Sequence, residues 1–197
     1  MKSDIILAGV GGQGILSIAT VIGLSAMNEN LEVKQAEVHG MSQRGGAVQS
    51  HLRLSSDFIS SDLIPKGAAD LIISVEPMEV LRYLPFLSKK GWMVTNSSPF
   101  INIPDYPDLK DVENEIKKIP NHIIIDADQI AKDLGSSRAS NIVMLGAAAN
   151  FIGLENQSFL EGIKQIFTRK GESIVEMNYQ AFEAGQKAAD SYLKDNN

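Results

Sequence analysis

The stretch between residues 4 and 22 limits what this chain can fold into more than any other. Asp4-Ile5-Ile6-Leu7-Ala8 is an apolar run, Gly9-Val10-Gly11-Gly12-Gln13-Gly14 interrupts it, and Ile15-Leu16-Ser17-Ile18-Ala19-Thr20-Val21-Ile22 resumes with apolar residues at a 3.6-residue rhythm. Such a succession reads as strand, tight turn, helix. The turn is suited to an anion, because backbone N–H groups at a helix start have no intrahelical partners and point outward with the positive end of the helix dipole. Gly9, Gly11 and Gly14 also keep the Gly-x-Gly-x-x-Gly spacing of a dinucleotide fold. The plainer reading is that the glycines only let strand and helix pack closely, and both stay open.

A second glycine-rich segment follows, His39-Gly40-Met41-Ser42-Gln43-Arg44-Gly45-Gly46, between two further apolar runs. Glycine permits close backbone approach, and arginine offers a rigid fork of donors matched to phosphate or carboxylate. Ser42 and Arg44 are therefore the candidate site side chains. Gly45 and Gly46 would allow a ligand or a second subunit to come near. In an ordinary dinucleotide site an acid about 20 residues past the glycine turn holds a ribose hydroxyl. Glu37 lies in that region, but the His39 to Gly46 segment that follows it has no place in such a site.

The remaining pattern predicts a three-layer α/β/α arrangement, a Rossmann-like mixed and mostly parallel sheet with a helical C-terminal part, in one domain over residues 1–197. A second strand is expected from Leu31 to Val38. Ala47 to Leu54 alternates apolar and polar residues, which predicts a half-exposed antiparallel strand and makes the sheet mixed. Leu71 to Val75 reads as a buried strand, Pro77 starts a helix running from Met78 to Leu87, and Trp92 to Thr95 is the next strand. The prolines at 99, 104 and 107 predict an extended surface loop from Ser98 to Asp108. A polar helix around Leu109 to Lys118 leads to a strand from His122 to Asp126, beyond which Asp126 or Asp128 would cap the next helix. Asn141 to Ala149, nearly free of charge and rich in small residues, predicts a helix buried in the core. The final amphipathic pattern, Ile174 to Leu193, sets Val175, Tyr179, Phe182 and Ala189 near one face.

Composition narrows the function classes. The 197 residues include no cysteine, which excludes a cysteine-ligated iron–sulfur cluster, a disulfide framework and a cysteine nucleophile in this chain. A net charge of −6 with scattered basic residues argues against nucleic acid as a partner. No apolar run is long enough to span a bilayer and the first residues lack a signal-peptide layout, so a cytoplasmic protein with no membrane partner is expected. His39, His51 and His122 stand far apart, so no metal site is expected. Ser17 and Ser42 lie near glycines but not in a Gly-x-Ser-x-Gly elbow.

The Gly9 to Gly14 turn, the Glu37 to Gly46 segment, the Leu71 to Ser74 run before Glu76-Pro77, and Asn141 to Gly146 together resemble the gamma-type subunit or domain of the 2-oxoacid:ferredoxin oxidoreductases. His39, Met41 and Gln43 favour the indolepyruvate branch. The resemblance implies a division of labour. A large partner subunit would carry thiamine diphosphate, magnesium and 4Fe-4S clusters, and a Gly-Asp-Gly segment of the kind that starts a thiamine site is absent here. This chain, holding no cofactor alone, would complete a complex that takes a 2-oxoacid such as indolepyruvate, with coenzyme A as cosubstrate, and passes electrons to ferredoxin. Arg44 with Ser42 would hold a carboxylate or phosphate, and Gly9, Gly11, Gly12, Gln13, Gly14, Gly45 and Gly46 would line or support the same place. Two other readings remain: an autonomous NAD- or FAD-binding Rossmann-type oxidoreductase, and a purely structural assembly subunit.

Overall fold

The computed structural model describes residues 1–39, 45–101 and 103–196. Strand β1 (Lys2–Val10) passes through the glycine turn into helix α1 (Ile15–Asn28), and β2 (Glu32–His39) and β3 (Ala47–Ser55) follow. Next come β4 (Ala69–Ser74), α2 (Pro77–Arg82) and β5 (Leu87–Asn96), then α3 (Leu109–Lys117), β6 (His122–Ile125) and α4 (Ala127–Asp133). The chain closes with α5 (Ser140–Ala148), α6 (Asn156–Phe167) and α7 (Glu172–Asp195). The strands form one sheet in the order β2-β3-β1-β4-β5-β6. β1, β4, β5 and β6 run parallel, while β3 is antiparallel to both neighbours. The mixed, mostly parallel α/β sheet expected from the glycine turn and the β3 alternation is the one found. Among the described residues, no helix is long and apolar enough to cross a membrane.

Two cores flank the sheet because successive strand residues point to opposite faces. Ile5, Leu7, Leu52, Leu54, Leu71 and Ile73 face α1, α4, α5, α6 and α7. Ile6, Ala8 and Ile72 face the smaller pair α2 and α3, through Val80, Val112 and Ile116. Helix α5 is buried along nearly its whole length, as its charge-free sequence predicts. It can sit there because glycines meet α7: a methyl carbon on Gly146 would stand 2.0 Å from the Phe182 carbonyl oxygen, and one on Gly185 2.0 Å from that of Val143. Val175, Phe182 and Ala189 of α7 are buried against this core and Tyr179 packs at its edge, so the amphipathic reading of the last helix holds.

Three local expectations are corrected. β3 is less exposed than its alternation predicts: Val48, Leu52 and Leu54 enter the larger core, and on the opposite face His51 is 4 % exposed while Ala47, Gln49 and Arg53 stay partly exposed. That second face is covered by the β3–β4 connection, whose Ile64 N–H donates to His51 Nδ1 at 3.0 Å. Helix α2 ends at Arg82 rather than Leu87, and a short 3-10 turn over Leu84–Phe86 replaces its second half. Pro85 supplies no N–H and disfavours helical backbone at Leu84. Strand β5 then begins at Leu87, five residues before the apolar Trp92 run that marks it in the sequence. Lys89, Lys90 and Gly91 hide its first half. Gly91 is required there, since a methyl carbon on it would lie 2.7 Å from the Ala69 carbonyl oxygen.

Candidate functional site

After β1 the chain turns toward β2 and β3, and after β4 it turns the other way toward β5. The carboxyl ends of β1 and β4 therefore border a crevice at the point where strand order reverses, the place where open α/β sheets bind ligands. A cavity of about 180 Å³ opens there, lined by Gln13, Val75, Asn96, Phe100, Asp128, Ser140 and Met144.

The glycine turn forms one wall. Gln13 staples it to the sheet: its Oε1 accepts the Val10 N–H at 2.8 Å and its Nε2 donates to the Val75 carbonyl at 3.3 Å, joining the ends of β1 and β4. A methyl carbon on Gly9 would meet Val75 Cγ2 at 2.4 Å and Ile15 Cδ1 at 2.8 Å, so this glycine serves close packing. Gly12 (φ 103°) and Gly14 (φ 79°) have the positive φ that glycine adopts readily. Gly14 caps α1 without a side-chain bond. Its carbonyl instead accepts from Asn141 Nδ2 at 3.1 Å, which ties the start of α5 to the turn. Among the described residues, the N–H groups of Gly12, Gly14, Ile15 and Leu16 have no acceptor, the anion-ready arrangement of a helix start.

The second glycine segment meets the first here. Gly11 N–H donates to the Gly46 carbonyl at 2.9 Å and Gly45 N–H to the Gly11 carbonyl at 3.4 Å, extending the β1–β3 ladder beyond Val10 and Ala47. Ser42 and Arg44 lie outside the described residues. Gly45 and Gly46 follow them directly, and β2 and β3 place both flanks of the segment at the carboxyl end of β1.

Glu37 does not take the position of a dinucleotide-site acid. It pairs with Ser50, and Ser50 pairs with Leu7, so β3 stands between Glu37 and β1. Two strand spacings amount to about 10 Å where a dinucleotide site has one.

The opposite wall comes from the ends of β5 and β6. Asn96 Oδ1 accepts the Ala127 N–H at 3.0 Å, and its Nδ2 reaches Asp128 Oδ2 at 3.3 Å and the Ser98 carbonyl at 3.4 Å. Asp126 caps α4, as the sequence suggests, accepting the Gln129 N–H at 2.9 Å and the Ser98 hydroxyl at 3.0 Å. Beneath the crevice Glu76, fully buried, follows β4 and caps α2. Its Oε2 accepts the Glu79 N–H at 2.8 Å, while Oε1 accepts the Phe100 N–H at 3.4 Å and the Tyr106 hydroxyl. Burial, and secondly the bond to Glu76, push the Tyr106 phenol well above its usual range. Sequence reasoning missed Asn96, Tyr106 and the roles of Glu76 and Asn141. The available signals were a lone acid directly after a buried-type strand and a lone amide opening a charge-free helix.

Chemically, the described part of the crevice offers amide and hydroxyl groups, one carboxylate, three apolar side chains and a set of backbone donors. These are means of binding, orienting and shielding. No group of three histidine or acidic side chains stands close enough to hold a metal ion among the described residues.

An α/β fold with its glycine turn at a strand-order reversal, and an inserted antiparallel β3 tied to that turn, defines the class. The family model described as pyruvate ferredoxin/flavodoxin oxidoreductase matches residues 4–188, and the chain belongs to that family. It is 36% identical over 200 residues to the indolepyruvate oxidoreductase subunit IorB of Archaeoglobus fulgidus, covering 96% of each chain. The oxoacid ferredoxin oxidoreductase gamma subunit of Geobacter sulfurreducens has the same fold, with a TM-score of 0.67 at 23% identity over 96% of this chain and 99% of that one. A 2-oxoglutarate:ferredoxin oxidoreductase of Magnetococcus marinus, determined with 2-oxoglutarate, coenzyme A and succinyl-CoA bound, gives a TM-score of 0.76 at 23% identity. The match covers 96% of this chain but only 31% of that longer one. The chain is thus a subunit of a 2-oxoacid:ferredoxin oxidoreductase, as its glycine motifs suggest.

Proposed function

We propose that the chain is the cluster-free subunit of a thiamine-diphosphate-dependent indolepyruvate:ferredoxin oxidoreductase. The assembled enzyme converts indolepyruvate or a related aryl pyruvate and coenzyme A to the acyl-CoA and carbon dioxide, and two electrons leave singly for ferredoxin. The observation that carries this reading is the similarity to the indolepyruvate oxidoreductase subunit over nearly the whole of both chains.

The residues present support a division of labour. Thiamine diphosphate and magnesium do not fit this chain, which has no Gly-Asp-Gly segment and no metal-ligating group among the described residues. Clusters need cysteine, of which it has none. Both therefore belong to a large partner subunit, where thiamine supplies the electron sink for decarboxylation. Coenzyme A suits what this chain offers. Its phosphates call for N–H donors and a guanidinium, which the Gly12 and Gly14 amides and Arg44 would provide, with Ser42 beside them and Gly45 and Gly46 allowing approach.

Gentle anaerobic purification of the tagged chain, with mass spectrometry of what accompanies it, tests the assignment. A stoichiometric partner with cysteine-rich cluster motifs and a thiamine site, and ferredoxin reduction dependent on indolepyruvate and coenzyme A, are the expected results. Recovery of the chain alone overturns it. In the active complex Arg44→Ala is expected to raise the KM of one of the two substrates about 10- to 100-fold, the weight of a charge-assisted hydrogen bond. Unchanged constants for both would leave the segment a subunit contact only.

A further inference from the structure

We infer that Glu76 is a positioning residue that sets the Phe100 wall of the crevice and so tunes substrate binding by the complex. This deepens the proposed function and rests on it for its kinetic arm. The segment after β5 has no regular hydrogen-bond ladder to hold it, yet Phe100 lines the cavity together with Gln13, Asn96 and Asp128. The segment's first residues are tied to β6 and α4, by the Ser97 N–H to the Ile125 carbonyl at 2.8 Å and the Ser98 hydroxyl to Asp126 at 3.0 Å, and farther along Phe100 and Tyr106 are held by one carboxylate. Glu76 is 0 % exposed, and its two oxygens collect the Glu79 N–H, the Phe100 N–H and the Tyr106 hydroxyl. Its backbone is fixed in turn by Ser74, whose hydroxyl donates to the Glu76 carbonyl at 2.6 Å and accepts its N–H at 3.3 Å.

Among the described residues no cation lies within ion-pair distance of Glu76. The nearest basic side chain of that helix, Arg82, is taken up by Glu79 at 3.0 Å. A buried carboxylate so placed is costly unless every lone pair it shows is used. Its three donors come from α2 and from two points of the segment six residues apart. That geometry holds α2, the end of β4 and the crevice wall as one unit.

A glutamine is isosteric here but cannot do the same. Wherever its NH2 group points, it faces either the Glu79 N–H or the Phe100 N–H, donor against donor. Glu76→Gln is therefore expected to free the Phe100 end of the segment while α2 and the fold persist. Tyr106→Phe, which removes one hydroxyl from a half-exposed side chain, serves where Glu76→Gln fails to assemble.

Hydrogen exchange on the assembled complex, followed by steady-state kinetics, tests this. Amide exchange at Phe100 and Ile101 is expected to quicken about 10-fold in Glu76→Gln and about 3-fold in Tyr106→Phe. KM for one substrate should rise by similar factors, with kcat within about twofold of wild type. Unchanged exchange at Phe100 in both variants overturns the anchoring role. Faster exchange with unchanged KM for the 2-oxoacid and for coenzyme A overturns the link to binding. Should the wild-type complex turn over no aryl pyruvate, the proposed function fails, and the exchange measurement still decides whether Glu76 anchors the wall.

Discussion

A buried carboxylate holds a loop at each end of the sheet, and the two are built differently. At the amino end of β1, Asp4 is 1 % exposed and takes the Arg53 guanidinium in a forked pair at 2.7 and 3.1 Å, with Lys2 at 3.0 Å. The same Arg53 donates to the carbonyls of Ser61 and Leu63, so the ion pair clamps the β3–β4 connection onto the sheet. At the carboxyl end, Glu76 does its holding with neutral donors, and the polar groups around it are left lining a cavity. A cavity opens at each end, about 230 Å³ beside Asp4 and Arg53 and about 180 Å³ beside Gln13 and Asn96, so the difference lies in how the carboxylate is compensated, by cations at one end and by neutral donors at the other.

Removing the cation should separate the two ends most sharply. Arg53→Ala leaves the buried Asp4 with only the exposed Lys2 and deprives two loop carbonyls of a donor. A loss of about 3–5 kcal/mol is expected from urea unfolding, far more than for Tyr106→Phe at the other end, where about 1 kcal/mol is expected. Equal losses would mean that the two ends share one structural duty.

Proton titration should loosen the ends in opposite directions. His51 Nδ1 accepts the Ile64 N–H, so the ring is neutral, and burial, then the charge of Arg53, hold its pKa below the usual value. A base with a lowered folded pKa contributes stability that is complete above its unfolded value, about 6.5, and is lost as pH falls below it. The Tyr106 phenol is shifted upward, so its contribution is complete below its unfolded value, about 10, and is lost as pH rises above it. Tm against pH is thus expected to show an acid limb that His51→Gln flattens, with a span of about 1–2 kcal/mol. The alkaline limb should be flattened by Tyr106→Phe. An acid limb that survives in His51→Gln would assign it to other groups.

How far the sequence foretold these ends depended on whether the information was local. The glycine turn, the antiparallel β3 and the capping Asp126 were legible because backbone freedom, alternation and capping act within a few residues. Burial of His51 was not, since alternation shows which face of β3 is polar but not that residues 59–64 fold back over it. The second half of α2 was misread because apolar Leu81, Leu84 and Phe86 continue a helical rhythm across Pro85. Glu76 and Tyr106 are 30 residues apart, and Asn141 and Gly14 are 127 apart. No period links such residues, so which amide or acid closes which gap appears only in three dimensions.

The longer of these links gives the finest test of how the crevice end is kept in shape. Asn141 is 8 % exposed, and its side-chain amide, bonded to the Gly14 carbonyl, spans from the buried helix α5 to the turn that caps α1. Asn141→Ala removes the donor but keeps the helix, and the half-buried Gly14 carbonyl can turn to water, so only about 0.5–1 kcal/mol of stability should be lost. Exchange at Gln13 and Ser17, whose amides are bonded to the Val10 and Gly14 carbonyls, should nevertheless quicken while the Ile64 amide at the far end is untouched. If the Ile64 amide quickened by as much, the two ends would be one cooperative unit, and their different chemistry would not amount to independent control.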